Sequence, residues 1–286
     1  MKKIICFLIM GLIIVSGISL ANQSINETEY WGVVVVAGEQ SIEPYIYNAM
    51  IQKQNWKNDH IKLLWKENAT TEGIFNSLDW LISNSDENDY VLFSVDAHGT
   101  YSNGDFGIWP YDGYDQGLMT VEELDNKFDE INAKGLCLIF DSCLSGSFVD
   151  NNNNFSPTLK DKNNIFRRSV VEGVEGLNRV VIMGTMPNGI GLHWLDYSND
   201  GKIIGEISPT TVISEAIICE NDLNNDGFTS AEEIFNYLRI NYRKYAIIGF
   251  LLIPLQIRMY LNTGFFVLPF PTIYDSYEGE IPIAYN

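Results

Sequence analysis

Five short, largely apolar runs punctuate the chain, and each gives way abruptly to small or charged residues: Trp31–Gly38, Ile61–Trp65, Tyr90–Val95, Leu136–Phe140 and Arg179–Gly184. Runs of this length, bounded in this way, predict buried strands. Between them the apolar positions fall at helical spacing. Glu43–Gln54 reads as one helix, and Thr70 or Thr71 caps a second that reaches Leu81 and Ile82. Thr120 opens a third, to about Ile131, with Glu123 at the capping-box position; Ser208 or Thr210 opens a fourth, through Glu220. Alternation of apolar strand and amphipathic helix predicts an α/β fold, a mostly parallel sheet covered on both faces.

Other stretches lack periodicity. Thr100–Gly117, rich in Gly, Asp and Tyr, reads as a long loop, and so do the asparagine-rich Asn151–Asn164 and Pro187–Gly205. Connections of that length inside a domain are usually functional. The apolar run Ala246–Leu255 is too short to span a bilayer, and its continuation to Phe270 is broken by Arg258, so both read as core strands. The tail Pro269–Ile283 reads as loop.

The first 21 residues change the picture of where the protein works. Lys2 and Lys3 precede an apolar stretch, and Ser19 and Ala21 stand at the −3 and −1 positions of a small-residue cleavage site. This is the pattern of an export signal, leaving residues 22–286 as one domain; an uncleaved anchor is the competing reading. After removal no segment calls for stable membrane insertion. The formal charge of −19 disfavours nucleic acid and anionic membranes, and suits cations or basic substrates. Asn22, Asn26, Asn68 and Asn154 match the N-glycosylation pattern.

Cysteine usage narrows the chemistry further. Cys6 leaves with the signal, and Cys137, Cys143 and Cys219 are too few and odd in number for a disulfide framework. Cys137 lies inside the strand Leu136–Phe140 and reads as a small core residue. Cys143 lies just beyond it, in Asp141-Ser142-Cys143-Leu144-Ser145-Gly146. The strand Tyr90–Val95 ends in the same manner, in Asp96-Ala97-His98-Gly99. In parallel sheets reacting groups collect at the carboxyl ends of strands, and a thiol nucleophile needs an imidazole to move its proton. A lone histidine or cysteine at such a place is more often structural; the pair at corresponding strand ends is what points to catalysis. His60 and His193 have no such context. Asp141 has a local role open to it as well, capping the turn that follows.

Asp222–Glu233 carries a second chemistry. Asp222, Asn224 and Asp226 fill positions one, three and five of an EF-hand calcium loop, Gly227 the sharp turn, Phe228 the carbonyl of position seven, Ser230 position nine and Glu233 position twelve. Helical patterns flank the loop over about 211–245. An acidic interhelical turn is the plainer alternative. Calcium bound there is expected to serve the fold, and a single weak site fills outside the cell at roughly 10⁻⁴ to 10⁻³ M.

The two strands ending in His98-Gly99 and in Asp141–Gly146, in that order, resemble the caspase-like (clan CD) cysteine peptidases, a group that includes caspases, metacaspases, legumain and gingipains; the Asp-Ser-Cys-Leu-Ser-Gly segment is closest to the metacaspase form. The resemblance implies a caspase-like three-layer α/β/α sandwich acting on protein or peptide substrates. It implies Cys143 as nucleophile, His98 as general acid/base, and the N–H groups of Gly99 and Cys143 as the oxyanion hole. Asp141 matches the acidic S1 position, which implies a basic or asparagine P1 residue; Glu39 and Glu43 are candidates for a second S1 acid by place only. The chain departs from the family in Asp96 and Ala97 before the histidine, and it lacks the pentapeptide of true caspases, so aspartate specificity is not expected. Two rivals remain open: a caspase-like module that binds calcium and partners without turnover, and a thiol ligase. With an acidic S1, Lys160, Lys162, Arg167 and Arg168 are expected sites of self-cleavage.

Overall fold

The computed structural model describes residues 27–38, 43–102, 105–149, 173–186, 189, 191, 194–197, 203–251 and 270–286. The expected strands form β1 (Tyr30–Val36), β2 (Ile61–Trp65), β3 (Tyr90–Asp96), β7 (Gly135–Asp141) and β8 (Arg179–Met183). They pair in parallel in the order β2-β1-β3-β7-β8. The helices are α1 (Tyr45–Met50), α2 (Thr71–Asn84), the single turn α3 (Gly113–Gln116), α4 (Val121–Asp129), α5 (Pro209–Ile218) and α6 (Ala231–Leu251). Thr70 caps α2, Thr120 caps α4 in a full capping box with Glu123, and Ser208 caps α5. These caps satisfy first-turn amides that would otherwise lack partners.

Alternation along each strand separates two apolar layers. Val34, Val36, Leu92, Cys137, Ile139, Val180 and Ile182 pack with α1, α5 and α6. Val33, Val35, Phe93, Leu138, Phe140 and Val181 pack with α2 and α4. The result is the three-layer α/β/α sandwich that the pattern called for. No helix among the described residues is long and apolar enough to cross a membrane.

Four stretches differ from expectation. Thr100–Gly117 is largely ordered: β4 (His98–Ser102), β5 (Asp105–Trp109) and β6 (Met119–Thr120) form a small antiparallel sheet beside the main one. Its strands carry glycines where backbones meet, which hides a strand pattern; a Cβ on Gly107 would overlap the Met119 carbonyl. Pro187–Gly205 includes the antiparallel pair β9 (Trp194–Tyr197) and β10 (Ile203–Ile207). Residues 246–251 are helix, not strand, because the stripe Ile234, Leu238, Tyr242 carries α6 onward and no proline intervenes before Pro254. The tail holds β12 (Thr272–Asp275), antiparallel at the edge of the main sheet against β8, and β13 (Pro282–Tyr285), paired with β11 (Phe228–Ser230). Each tail strand borrows its partner from far back in the chain, so local turn residues dominate its sequence. The export signal, Asn22, Asn26, Glu39, Asn154, the basic residues 160–168 and His193 lie outside the described residues.

Candidate active site

β3 and β7 are neighbours in register, from Tyr90 opposite Gly135 to Asp96 opposite Asp141. Ala97 N–H donates to the Asp141 carbonyl at 3.2 Å, which extends the pairing one step past the strands. His98 and Cys143 each stand two residues beyond the same rung. The chain then turns into β4, and Gly99 passes directly across the nucleophile turn: a Cβ there would overlap the Cys143 carbonyl oxygen and lie 2.9 Å from its carbon. Only glycine fits so close a crossing. Of the expected catalytic residues, Gly99 is thus brought against Cys143, with His98 the residue before it. His98 is exposed and Cys143 half-buried, so both are reachable.

The turn after the nucleophile is held from several directions. Leu144 adopts a left-handed conformation, φ 64°, uncommon for a non-glycine residue. Its N–H donates to the Gly189 carbonyl at 2.7 Å. Ser145, fully buried, contacts Thr185 through paired hydroxyls at 3.1 Å and accepts from Thr185 N–H at 3.2 Å. Gly191 lies beside the nucleophile: a Cβ there would stand 3.8 Å from the Cys143 nitrogen and 3.9 Å from Sγ, in ordinary contact. Sequence patterns singled out neither Thr185 nor Gly191. Thr185 follows the apolar run of β8 at once, and that position at a parallel strand's carboxyl end was the available signal.

The other cysteines are separated from this chemistry. Cys137 is fully buried in β7, where desolvation first and the Glu232 carboxylate second push its thiol up and keep it protonated. Cys219 is exposed beyond α5. His60 stacks on Trp31 with ring centroids 3.7 Å apart, a structural role.

Ser142 is 3% exposed and its hydroxyl has no hydrogen-bond partner among the described residues. A buried unsatisfied hydroxyl is destabilising by about 1–3 kcal/mol. Ser142→Ala is therefore expected to leave stability unchanged or raise it by about 1 kcal/mol, read from the urea midpoint at constant slope.

Asp141 is 1% exposed, and its Oδ2 accepts from Thr210 N–H in the first turn of α5 at 3.0 Å. Through this bond the carboxylate reaches across to another helix. Gly184 makes room beside it, since a Cβ there would come within 3.2 Å of Asp141 Oδ1. Glu43 is exposed ahead of α1.

The Asp222–Glu233 loop joins α5 to α6 and turns at Gly227, φ +95°. Asp222 accepts from Asp226 N–H at 3.1 Å and Gly227 N–H at 3.0 Å, and Asn224 Oδ1 from Asp226 N–H at 3.0 Å. Asp226 accepts from Phe228 N–H at 3.3 Å. Glu233 Oε1 accepts from Leu223 and Asn224 N–H groups, its Oε2 from Ser230 N–H, and Ser230 Oγ from Glu233 N–H. The donors expected of a calcium loop are all oxygen, a set that suits a hard cation. The carboxylates are turned to loop amides, and no group of three or more His, Cys, Asp or Glu among the described residues is gathered for a metal.

Residues 38–152 match the metacaspase, peptidase C14 domain. That span contains both His98 and Cys143, so the metacaspase likeness and the rung-and-crossing geometry fall on the same residues. The Asp222–Glu233 loop and α6 lie beyond it. Among solved structures, the chain is similar to a protein from Geobacter sulfurreducens, at 12% identity and TM-score 0.43, covering 74% of this chain and 89% of that one. It is similar also to caspase-1 from Spodoptera frugiperda, at 10% identity and TM-score 0.42, covering 91% and 93%. No curated protein matches the sequence.

Proposed function

We propose that this protein is an exported cysteine endopeptidase that works through Cys143 and His98 and prefers a basic or asparagine P1 residue. The observation that supports the reading is the shared rung: His98 and Cys143 each stand two residues beyond the Asp96–Asp141 pair, and Gly99 lies against the Cys143 carbonyl. In this reading the Cys143 thiolate attacks the scissile carbonyl, and the electron pair moves onto oxygen, toward the N–H groups of Gly99 and Cys143. Imidazolium His98 gives its proton to the leaving amine as the C–N bond breaks, and neutral His98 then takes a proton from the water that cleaves the thioester. Asp141 supplies the negative charge for a basic P1 side chain.

Calcium in the Asp222–Glu233 loop belongs to the same proposal. The side chains of Asp222, Asn224, Asp226, Ser230 and Glu233 and the carbonyl of Phe228 would hold it, once the carboxylates turn from the loop amides. A cation bound there would supply charge to hold the loop and the start of α6 in one geometry, and no bond-making step would pass through it.

The test uses residues 22–286 and fluorogenic peptides bearing Arg, Lys, Asn or Asp at P1, with calcium or chelator, beside Cys143→Ala. Hydrolysis of the Arg, Lys or Asn peptides that vanishes in Cys143→Ala and falls with chelator is the expected result. No turnover with a slow-reacting thiol would overturn the peptidase. Transfer of the acyl group to an added amine in place of water would identify a ligase.

A further inference from the structure

Side chains along β7 alternate, so Cys137, Ile139 and Asp141 share the face covered by α5 and α6. Cys137 and Ile139 pack there with Val212 and Ile213 of α5 and with Ile234, Leu238 and Tyr242 of α6. The last three stand four residues apart and form one stripe along α6. Asp141 therefore lies on the face of β7 against which the α6 stripe, Tyr242 included, is packed. Tyr242 is 2% exposed. Buried tyrosines keep a hydrogen-bonding role for the hydroxyl. Burial first, and then the facing charges of Asp141 and Cys143, hold this phenol well above its ordinary range, which leaves it a neutral donor.

We infer that Tyr242 is a positioning residue for Asp141. The carboxylate offers about four lone-pair directions. Thr210 N–H takes one of them on Oδ2. The phenol fixes the carboxylate from the α6 side and so sets how it faces the P1 cation. The inference rests on the reading of Asp141 as the S1 acid. It adds a specificity-determining residue from outside the segment that matches the metacaspase domain, on the helix that begins within the Asp222–Glu233 loop.

Two measurements test it on residues 22–286 in a Cys219→Ser background, where the exposed thiol no longer competes. The first compares wild type with Tyr242→Phe on P1-Arg and P1-Asn peptides. KM for the arginine peptide is expected to rise roughly tenfold, the worth of a hydrogen bond to a charged group, with kcat within about twofold and a smaller change for asparagine. The second follows iodoacetamide alkylation of Cys143 against pH. Without the phenol the Asp141 charge is less dispersed, so the profile is expected to move to higher pH. Tyr242→Met, which fills the space but donates nothing, is expected to repeat both changes.

An unchanged arginine-to-asparagine ratio together with superimposable alkylation profiles overturns the inference and leaves the peptidase standing. Wild type without Cys143-dependent turnover removes the peptidase instead, and the alkylation profile then decides the role of Tyr242 alone. Equal losses on both peptides with an unmoved profile reduce Tyr242 to a packing residue and overturn the inference as well.

Discussion

Gly99→Ala is expected to bring peptide hydrolysis close to the level of Cys143→Ala, a loss of at least about a thousandfold. The added methyl would overlap the Cys143 carbonyl oxygen and lie 2.9 Å from the carbonyl carbon, and both are backbone atoms at the end of a central strand. They are not free to yield, so β4 must move. Displacing β4 separates His98 from Cys143 and withdraws the Gly99 N–H from the oxyanion. Loss of one oxyanion donor is worth about 10²–10³ in rate, and misplacement of a catalytic group by about 1 Å another 10². β4 itself is exposed to half-buried, while Ile108 of β5 and Met119 of β6 belong to the core, so a shift confined to β4 leaves the core packed. The melting temperature should therefore fall by only a few degrees, and Cys143 should still be alkylated. Full activity in Gly99→Ala would mean that the crossing has no part in the chemistry.

Arg179→Leu carries the second large effect, on stability. Arg179 is 4% exposed at the start of β8, and its guanidinium donates to Asp125 at 3.0 Å, to Asp129, and to the carbonyls of Val174 and Glu175. Gly176 leaves the space it occupies. Removing the cation strands Asp125 beside Asp129 with no counter-charge, a change that is destabilising by about 3–5 kcal/mol. The effect depends on pH in a definite direction. Desolvation first, and the Asp129 charge second, push the Asp125 carboxyl up to about 6 even with Arg179 pulling it down. A carboxyl raised above its unfolded value contributes stability at low pH and loses it as pH rises through the folded value. Without Arg179 the carboxyl rises further, so the variant should be most destabilised near pH 8 and recover part of the loss near pH 5. Thermal melts at the two pH values check this, with Asp125→Asn in the Arg179→Leu background expected to flatten the difference. Equal losses at both would show that packing of the guanidinium, not charge, dominates.

These two sites mark how far the sequence could be read. The β3 and β7 runs, their abrupt ends, and the pairing of His98-Gly99 with Cys143 are local patterns, and the metacaspase match falls on the same residues. The caps at Thr70, Thr120 and Ser208 are equally local. Arg179 is different: a basic residue opening a strand reads as an exposed end, and its partners Asp125 and Asp129 lie on a helix some 50 residues earlier. The strands of the tail and the hold of Thr185 on Ser145 were hidden for the same reason. Each depends on a contact made only after the sheet has closed.

The common rung of Asp96 and Asp141 makes the site a matter of counting. Helices and surface connections can gain or lose residues while the sheet persists, but the two steps from the rung to His98 and to Cys143 cannot change. One residue inserted between Asp141 and Cys143 would carry the thiol off its place in the turn while every strand stayed paired. Length changes elsewhere tune this protein; at these two places a single codon decides whether the thiol and the imidazole meet at all.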